Sequence, residues 1–207
     1  MRPASLRRPR GRLALLPMAV TLAVGAGLSP APVRSQPSAE PVVTVINGCH
    51  LWPYAHCPGA DLRHADLVGK DLRGVNFSGA KLSRARLRSA NLAGAKLDGA
   101  DLTGVQAYAL NAPGASFRGA TMVAANLAMG RFFRADMSGA DLSAANLEAA
   151  RMNFAWLVGA KLVGADLQET KFVGSNLQDA DLDGTVLRFA IFPDAHLQGC
   201  RGCPEGW

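Results

Sequence analysis

Aromatic residues are scarce, 6% of 207, and only four cysteines occur. Large aromatic side chains dominate many cores, so whatever this chain buries must be mainly aliphatic. No Asp or Glu precedes Glu40, which locates the formal charge of +6. Arg2, Arg7, Arg8, Arg10, Arg12 and Arg34 fall within the first 35 residues, and beyond them 16 basic residues face 16 acidic ones. A span that is neutral overall lacks the basic footprint of a nucleic-acid binder, so no nucleic acid is expected as a partner. There is no Gly-rich phosphate loop and no nucleophile elbow. The aspartates recur at a fixed period, which accounts for them without paired-carboxylate catalysis. No enzyme, cofactor or metal is therefore expected. The 22 glycines and 49% hydrophobic residues fit neither a collagen nor a disordered tail.

The arginine-rich start is followed by an apolar run, Leu13 to Leu28, and then by a Pro/Ser/Ala stretch. That order reads as a secretory signal with its cleavage region over residues 1–35, cut after Ala26 or after Ser35. Sixteen residues interrupted by Pro17 fall short of the ~20 needed to cross a bilayer, so no stable membrane anchor is expected after cleavage. Arg10 and Gly11 stand where the twin-arginine signal would have apolar residues after Arg7-Arg8, which favours the general secretory route. The expectation is an exported protein, periplasmic or secreted.

From Leu62 to Leu197 every fifth residue is Leu, Phe or Met at 26 of 28 positions, the exceptions being Ala107 and Ala112. Two residues before each centre Ala stands in 20 of the 28 cases, and two residues after it Gly stands in 14. Ala-Asp-Leu-Thr-Gly at residues 100 to 104 is one such unit. A period of five matches neither the 3.6 of a helix nor the alternation of a strand. A solenoid explains it, with one large and one small residue inward per unit, a corner, and polar residues outside.

On these residues the chain resembles the pentapeptide-repeat family, over residues 60–199. The resemblance implies an all-β fold: a right-handed quadrilateral parallel β-helix with four pentads per coil. Twenty-eight units would make about seven coils, roughly 34 Å of stacked strands. Residues 36–59 and 200–207 are expected to cap the two ends. Within the first lies Val42 to Ile46, which reads as a short strand, and within the second Trp207. The same resemblance raises an alternative function, a DNA-mimicking modulator of a topoisomerase. The neutral charge beyond the leader and the export signal disfavour it.

Residues twenty apart should stack. One column of centres is then Leu72, Leu92, Ala112, Phe132, Met152, Phe172 and Phe192, which reads as core. Ala107 and Ala112 should leave a deficit that Leu110 fills, with a local bulge near Tyr108 and Pro113. Outside, Asp61, Lys81, Asp101, Thr121, Asp141, Lys161 and Asp181 read as a self-satisfied column of largely alternating charge. The neighbouring column, Asp71, Asn91, Asn111, Arg131, Arg151, Lys171 and Ile191, places three cations one strand spacing apart, which a purely structural face has no reason to build. Around the same corner the count places Phe133, Arg134, Phe154 and Trp156 outward. Aromatics beside arginines compose interface anchors, so these seven residues are the candidate contact patch for an unknown protein or an anionic envelope polymer.

Charge is also uneven along the axis. Residues 60–99 hold eight basic and four acidic residues, while 160–199 hold three and six. Weak head-to-tail homo-oligomers would follow from that asymmetry. Cys49 and Cys57 lie at one expected end and Cys200 and Cys203 at the other, too far apart to cross-pair, so each pair is a candidate disulfide. Two weaker readings rest on the same residues: a zinc site of Cys49, His50, His56 and Cys57, and a redox motif at Cys200 and Cys203.

Overall fold

The computed structural model describes residues 44–205. Residues 1–35, expected to be an export signal, Val42 and Trp207 lie outside them. Onward from His56 the backbone makes one kind of long-range pairing, parallel bridges between residues twenty apart, from His56 with Asn76 to Asp181 with Arg201. A bridged residue recurs every five, so four pentads complete one coil and four ladders run along the axis. We call them the Asp61, Asp66, Asp71 and Asn76 ladders.

One pentad shows how the sequence makes a side of the coil. Ala100 and Leu102 are buried, and Asp101 between them stands on a ladder facing out. The Asp101 amide donates to the Ala80 carbonyl of the preceding coil at 3.0 Å, and the Leu102 amide to the Thr121 carbonyl of the next at 2.7 Å. Thr103 and Gly104 turn the corner, which the Val105 amide closes on the Leu102 carbonyl at 3.1 Å. Gly104 has φ 62, the left-handed region that glycine enters without penalty. Non-glycine residues take the same place elsewhere, Met129 at φ 60 and Phe154 at φ 58 among them. Each costs on the order of 1 kcal/mol, which the ladder bonds of its own amide and its neighbours offset.

The core is a continuous stack of aliphatic residues with Phe77, Phe117, Phe132, Phe172 and Phe192 fully buried. Where the small inward residue is a hydroxyl, a backbone carbonyl accepts from it. Thr170 Oγ1 donates to the Leu147 carbonyl at 2.8 Å, and Ser175 Oγ to that of Met152 at 2.6 Å.

The coil holding Ala107 and Ala112 has no bulge, contrary to the sequence expectation. Its ladder bonds continue unbroken, Ala107 to Asn126 and Ala112 to Arg131, both at 2.8 Å. Leu110 points inward with 1% of its surface exposed, and Phe132 stacks next to Ala112 in the same column of centres. Gly130 supplies the remaining room. A Cβ there would lie 2.9 Å from Phe132 Cζ and 2.8 Å from the Leu127 carbonyl oxygen. Volume is thus redistributed between facing positions, and the backbone keeps its register.

At the N-terminal end, Thr44–Ile46 (β1) and Cys49–Leu51 (β2) form an antiparallel hairpin around Asn47 and Gly48. Both turn residues have positive φ, 49 and 78, the geometry for which Asn-Gly is suited. Asn47 Nδ2 donates to the Asp61 carbonyl at 2.7 Å, and Lys70 Nζ to Thr44 Oγ1 at 2.8 Å, which tie the hairpin to the first coil. The ladder itself begins before residue 60. Ala55-His56-Cys57-Pro58-Gly59 is a full pentad, with Ala55 and Cys57 buried and His56 bridged to Asn76.

Both expected disulfides are formed, Cys49–Cys57 with Cα atoms 5.6 Å apart and Cys200–Cys203 at 5.8 Å. Their thiols are therefore spent, which removes the ligands of the zinc reading. At the C-terminal end, among the described residues, only the Asp61 ladder continues, through Arg201. Leu187 and Leu197 are only partly buried, so the described residues after 199 cover one side of the last coil.

Candidate functional site

Asp and Asn recur before the buried centre for a reason that charge alternation does not capture. In thirteen pentads among the described residues the side-chain oxygen of that residue accepts the backbone N–H two residues on, as Asp141 does from Ser143 at 3.0 Å and Asn146 from Glu148 at 2.9 Å. These are Asx turns, and they satisfy the one corner amide that the ladder leaves unbonded. The column Asp61 to Asp181 follows the expectation of stacked ion pairs only at its end, where Arg201 stacks on Asp181, while Lys81 and Lys161 form no ion pair among the described residues. Asp61 pairs with Arg63 two residues away at 2.6 Å, and Asp181 with Arg201. Lys81 and Lys161 act on their aspartates only at longer range.

Those contacts hold the carboxyls in their charged form. The Arg63 guanidinium, with its amide, lowers Asp61 to about 2. Hydrogen bonds from Arg73 lower Asp71, and those from Arg201 lower Asp181. Burial pushes Asp98 up, but hydrogen bonds from Ser116 and Arg118 outweigh it and the net direction is down.

Each ladder leaves some corners uncapped, as at Ser83, Arg88 and Asp98 behind Lys81, Arg86 and Lys96, but among the described residues the Asp71 ladder alone has three cationic ones in a row. Asp71 and Asn91 cap their corners. Asn111 precedes Pro113, which has no amide to cap, and its Nδ2 donates to Asn91 Oδ1 at 3.0 Å. Then come Arg131, Arg151 and Lys171 on three successive coils, bridged to one another. All three are exposed. None has an ion pair or hydrogen-bonded side-chain partner among the described residues. A cation cannot accept a hydrogen bond, so the corner amides of Phe133, Asn153 and Val173 are left without an acceptor among the described residues.

The structure confirms the outward placement of all seven candidate residues but divides them between two walls. A cavity of about 410 Å³ lies on the Asp71 ladder, with Arg131, Arg151, Lys171 and Ile191 along it and Met129, Ala149, Glu169 and Phe189 on the adjoining corner. A second, of about 350 Å³, lies around the opposite corner and is lined by Arg134, Phe154, Trp156, Gly174, Asn176 and His196. Trp156 belongs to the Asn76 ladder, bridged to Asp136 and Asn176, so it does not share a wall with the cations. Phe133 and Phe154 form the ridge between the two cavities. Their rings meet edge to face at 5.5 Å, and the Arg134 guanidinium sits 5.1 Å from the Phe133 ring centre. In the same corner Asn153 Oδ1 is buried without a hydrogen-bond partner.

Sequence reasoning did not single out Met129, Phe189 or Ile191. Met129 and Phe189 are half or more exposed. They occupy the left-handed corner position that precedes the cationic ladder, and a count of positions twenty apart puts them in one column with Ala149 and Glu169.

The model for pentapeptide repeats matches in eight copies, at residues 55–92, 71–106, 131–164 and 160–199. No curated protein matches the chain. Several solved structures are similar. One is a trypsin-treated variant of QnrB1, a plasmid-mediated fluoroquinolone resistance protein, at 22% identity over 72% of this chain and 80% of that one, TM-score 0.40. Another is a pentapeptide repeat protein of the Arabidopsis thaliana thylakoid lumen, at 30% identity over 61% and 71%, TM-score 0.39. A third is HetL, a pentapeptide repeat protein involved in heterocyst differentiation regulation in a Nostoc cyanobacterium, at 28% identity over 70% and 86%, TM-score 0.26. Repeat matches that span most of the described coils, together with ladders that close every twenty residues, establish that the chain belongs to the pentapeptide-repeat family and folds as its right-handed quadrilateral β-helix.

Proposed function

We propose that the protein is an exported, non-catalytic scaffold whose cationic wall binds an anionic partner in the cell envelope or outside the cell. One observation carries the reading: Arg131, Arg151 and Lys171 stand on consecutive coils with no acidic side chain paired to them among the described residues. By contrast Arg63, Arg73, Arg86, Arg118 and Arg201 each hold a carboxylate. Like charges at strand spacing oppose the fold, and here three cations stand in succession on one ladder. Three consecutive cations with no acidic partner among the described residues are what a surface for an anionic ligand needs. The exposed aromatics on both flanking corners supply the apolar contact that such a surface needs.

The test replaces Arg131, Arg151 and Lys171 together by Ser. The expected result is unchanged or higher thermal stability, with loss of binding to immobilised anionic polymers. A marked loss of stability would make the cationic column structural and overturn the reading. Export is tested separately, by fractionating cells and sequencing the mature N-terminus, expected at residue 27 or 36. A full-length chain retained in the cytoplasm would contradict it.

A further inference from the structure

We infer that the cationic wall and the two corners beside it form a peripheral docking face for an anionic lipid bilayer. This rests on the proposed function and names the partner.

Cations alone do not single the wall out, since Arg84, Arg86 and Arg88 crowd a coil nearer the N-terminus. Apolar side chains do. Of the eight phenylalanines, Phe77, Phe117, Phe132, Phe172 and Phe192 are fully buried. The other three are exposed, and all stand on the corners flanking Arg131, Arg151 and Lys171, Phe189 on the side of Met129 and Phe133 and Phe154 on the side of Arg134.

Backbone conformation sharpens the pattern. Among the described residues four large apolar side chains occupy left-handed corner places, Tyr54, Met129, Phe154 and Phe189, with φ of 64, 60, 58 and 61. A count by twenty puts Met129 and Phe189 on one flanking corner and Tyr54 and Phe154 on the other. Bulky residues enter that region at a cost, and burial does not offset it, for Tyr54 and Phe189 are 76% and 66% exposed. Gly74 and Gly174 hold the same place one coil on from Tyr54 and Phe154, and each ring lies over the glycine. The fold thus accepts glycine at these corners and has no need of a ring.

The order of chemistry across the face selects the partner. A protein interface has an apolar centre and a polar rim. Here the centre is a trough of about 410 Å³ along Arg131, Arg151 and Lys171, and the rings stand on the ridges at its edges. A soluble polyanion laid in the trough would meet the cations and leave the outer rings in water. Against a bilayer the ridges reach below the headgroups, where apolar rings are favoured, while the cations between them stay level with the phosphates. The guanidinium groups of Arg134 and Arg188, 5.1 and 4.8 Å from the ring centres of Phe133 and Phe189, add a cation to each ridge. Glu148, Glu169 and Asp194 on the same corners oppose that charge and limit the affinity.

Glycine separates a bilayer from diffuse charge attraction. Phe154→Gly with Phe189→Gly removes two rings, relieves two left-handed residues and leaves every cation in place. The ladders close within residues 56–201, so the chain from residue 36 keeps the solenoid and lacks the apolar run Leu13 to Leu28, which would itself enter lipid. The probes are vesicles of phosphatidylglycerol mixed with phosphatidylcholine, vesicles of phosphatidylcholine alone, and polyglutamate in solution, all at fixed salt. The wild type should float with the anionic vesicles only. The double Gly variant should bind them roughly tenfold more weakly, with a melting temperature within a few degrees of wild type and unchanged affinity for polyglutamate. Val163→Ser, at an exposed position on the corner between the Asp61 and Asp66 ladders, should change nothing. If the Gly variant floats as the wild type does, or the wild type floats equally with neutral vesicles, the bilayer face is wrong, while a loss confined to the triple Ser variant leaves the anionic scaffold standing. Binding of polyglutamate without vesicles overturns the bilayer and leaves a soluble acidic partner. Binding of neither anionic probe by the wild type overturns both readings.

Discussion

The Asp98 carboxylate lies one coil below Arg118 and takes both its backbone N–H and its guanidinium, at 3.2 and 3.0 Å. Carboxylates in this solenoid thus serve the corners first and the neighbouring cations second. That order explains why Asp and Asn dominate the place before the buried centre and why a cation there has a structural cost.

Restoring a cap on the cationic ladder should therefore stabilise the protein. Arg151→Asn recreates the residue found at positions 91 and 111 of the same ladder, gives the amide at 153 an acceptor, and removes two like-charge contacts. An increase of about 0.5–1.5 kcal/mol is expected in denaturant unfolding, together with weaker binding of anions. The reverse change, Asp141→Ala, should cost a similar amount, because the Ser143 amide loses its partner.

Acid should unfold the protein late. Asp61, Asp71, Asp98, Asp101, Asp141 and Asp181 all titrate below their ordinary range, Asp61 at about 2. Carboxyls of the unfolded chain take up protons near pH 4, before the folded ones do. The stability these groups contribute is full above that value and is lost as pH falls through the folded values toward 2. Melting temperatures measured from pH 7 to pH 2 should stay level to about pH 4 and then decline. A decline that begins near pH 6 would point to other groups.

Gly130→Ala should destabilise by about 1–3 kcal/mol, since the added methyl enters the space of the Phe132 ring and the Leu127 carbonyl. Phe132→Leu should cost stability alone but reduce the penalty of Gly130→Ala when the two are combined. A double-mutant cycle by chemical denaturation measures the coupling, and additive effects would show that the two residues do not share that volume.

Reduction should loosen the N-terminal end more than the C-terminal one. The loop closed by Cys49–Cys57 is the longer of the two and contributes about 2.5 kcal/mol by restricting the unfolded chain. Cys57 is also a buried centre of the first pentad. Hydrogen exchange with and without reductant should show the amides of 44–60 losing protection first, while the coils around Leu142 keep theirs.

The period of five made the coil, its ladders and its core legible, because a large inward residue every fifth position has no other low-energy arrangement. Outward placement of Arg131, Arg151, Lys171, Phe133 and Phe154 followed from the same count. What the count missed was local. Asp61 with Arg63 and Asp71 with Arg73 pair two residues apart around a corner, whereas stacking logic looks only twenty residues away. The coil of Ala107 and Ala112 looked defective because the compensation, Gly130 and Phe132, sits one coil on. Cys57 hid the first pentad, since a cysteine at a buried centre reads as a cap residue until its neighbours Ala55 and Gly59 are counted. Trp156, counted around the same corner as the cations, stands on the neighbouring Asn76 ladder.

Because every ladder bond joins residues twenty apart, a position and its counterpart one coil away have interchangeable backbone surroundings. Excising residues 140–159 would join Gly139 to Ala160 in the register that Ala140 now holds, and would set Lys171 directly after Arg131 on the ladder. The length of the charged wall is therefore a genetic variable that changes in whole coils, and a gene for this chain can shorten or extend its reach by unequal crossing-over without designing a new junction.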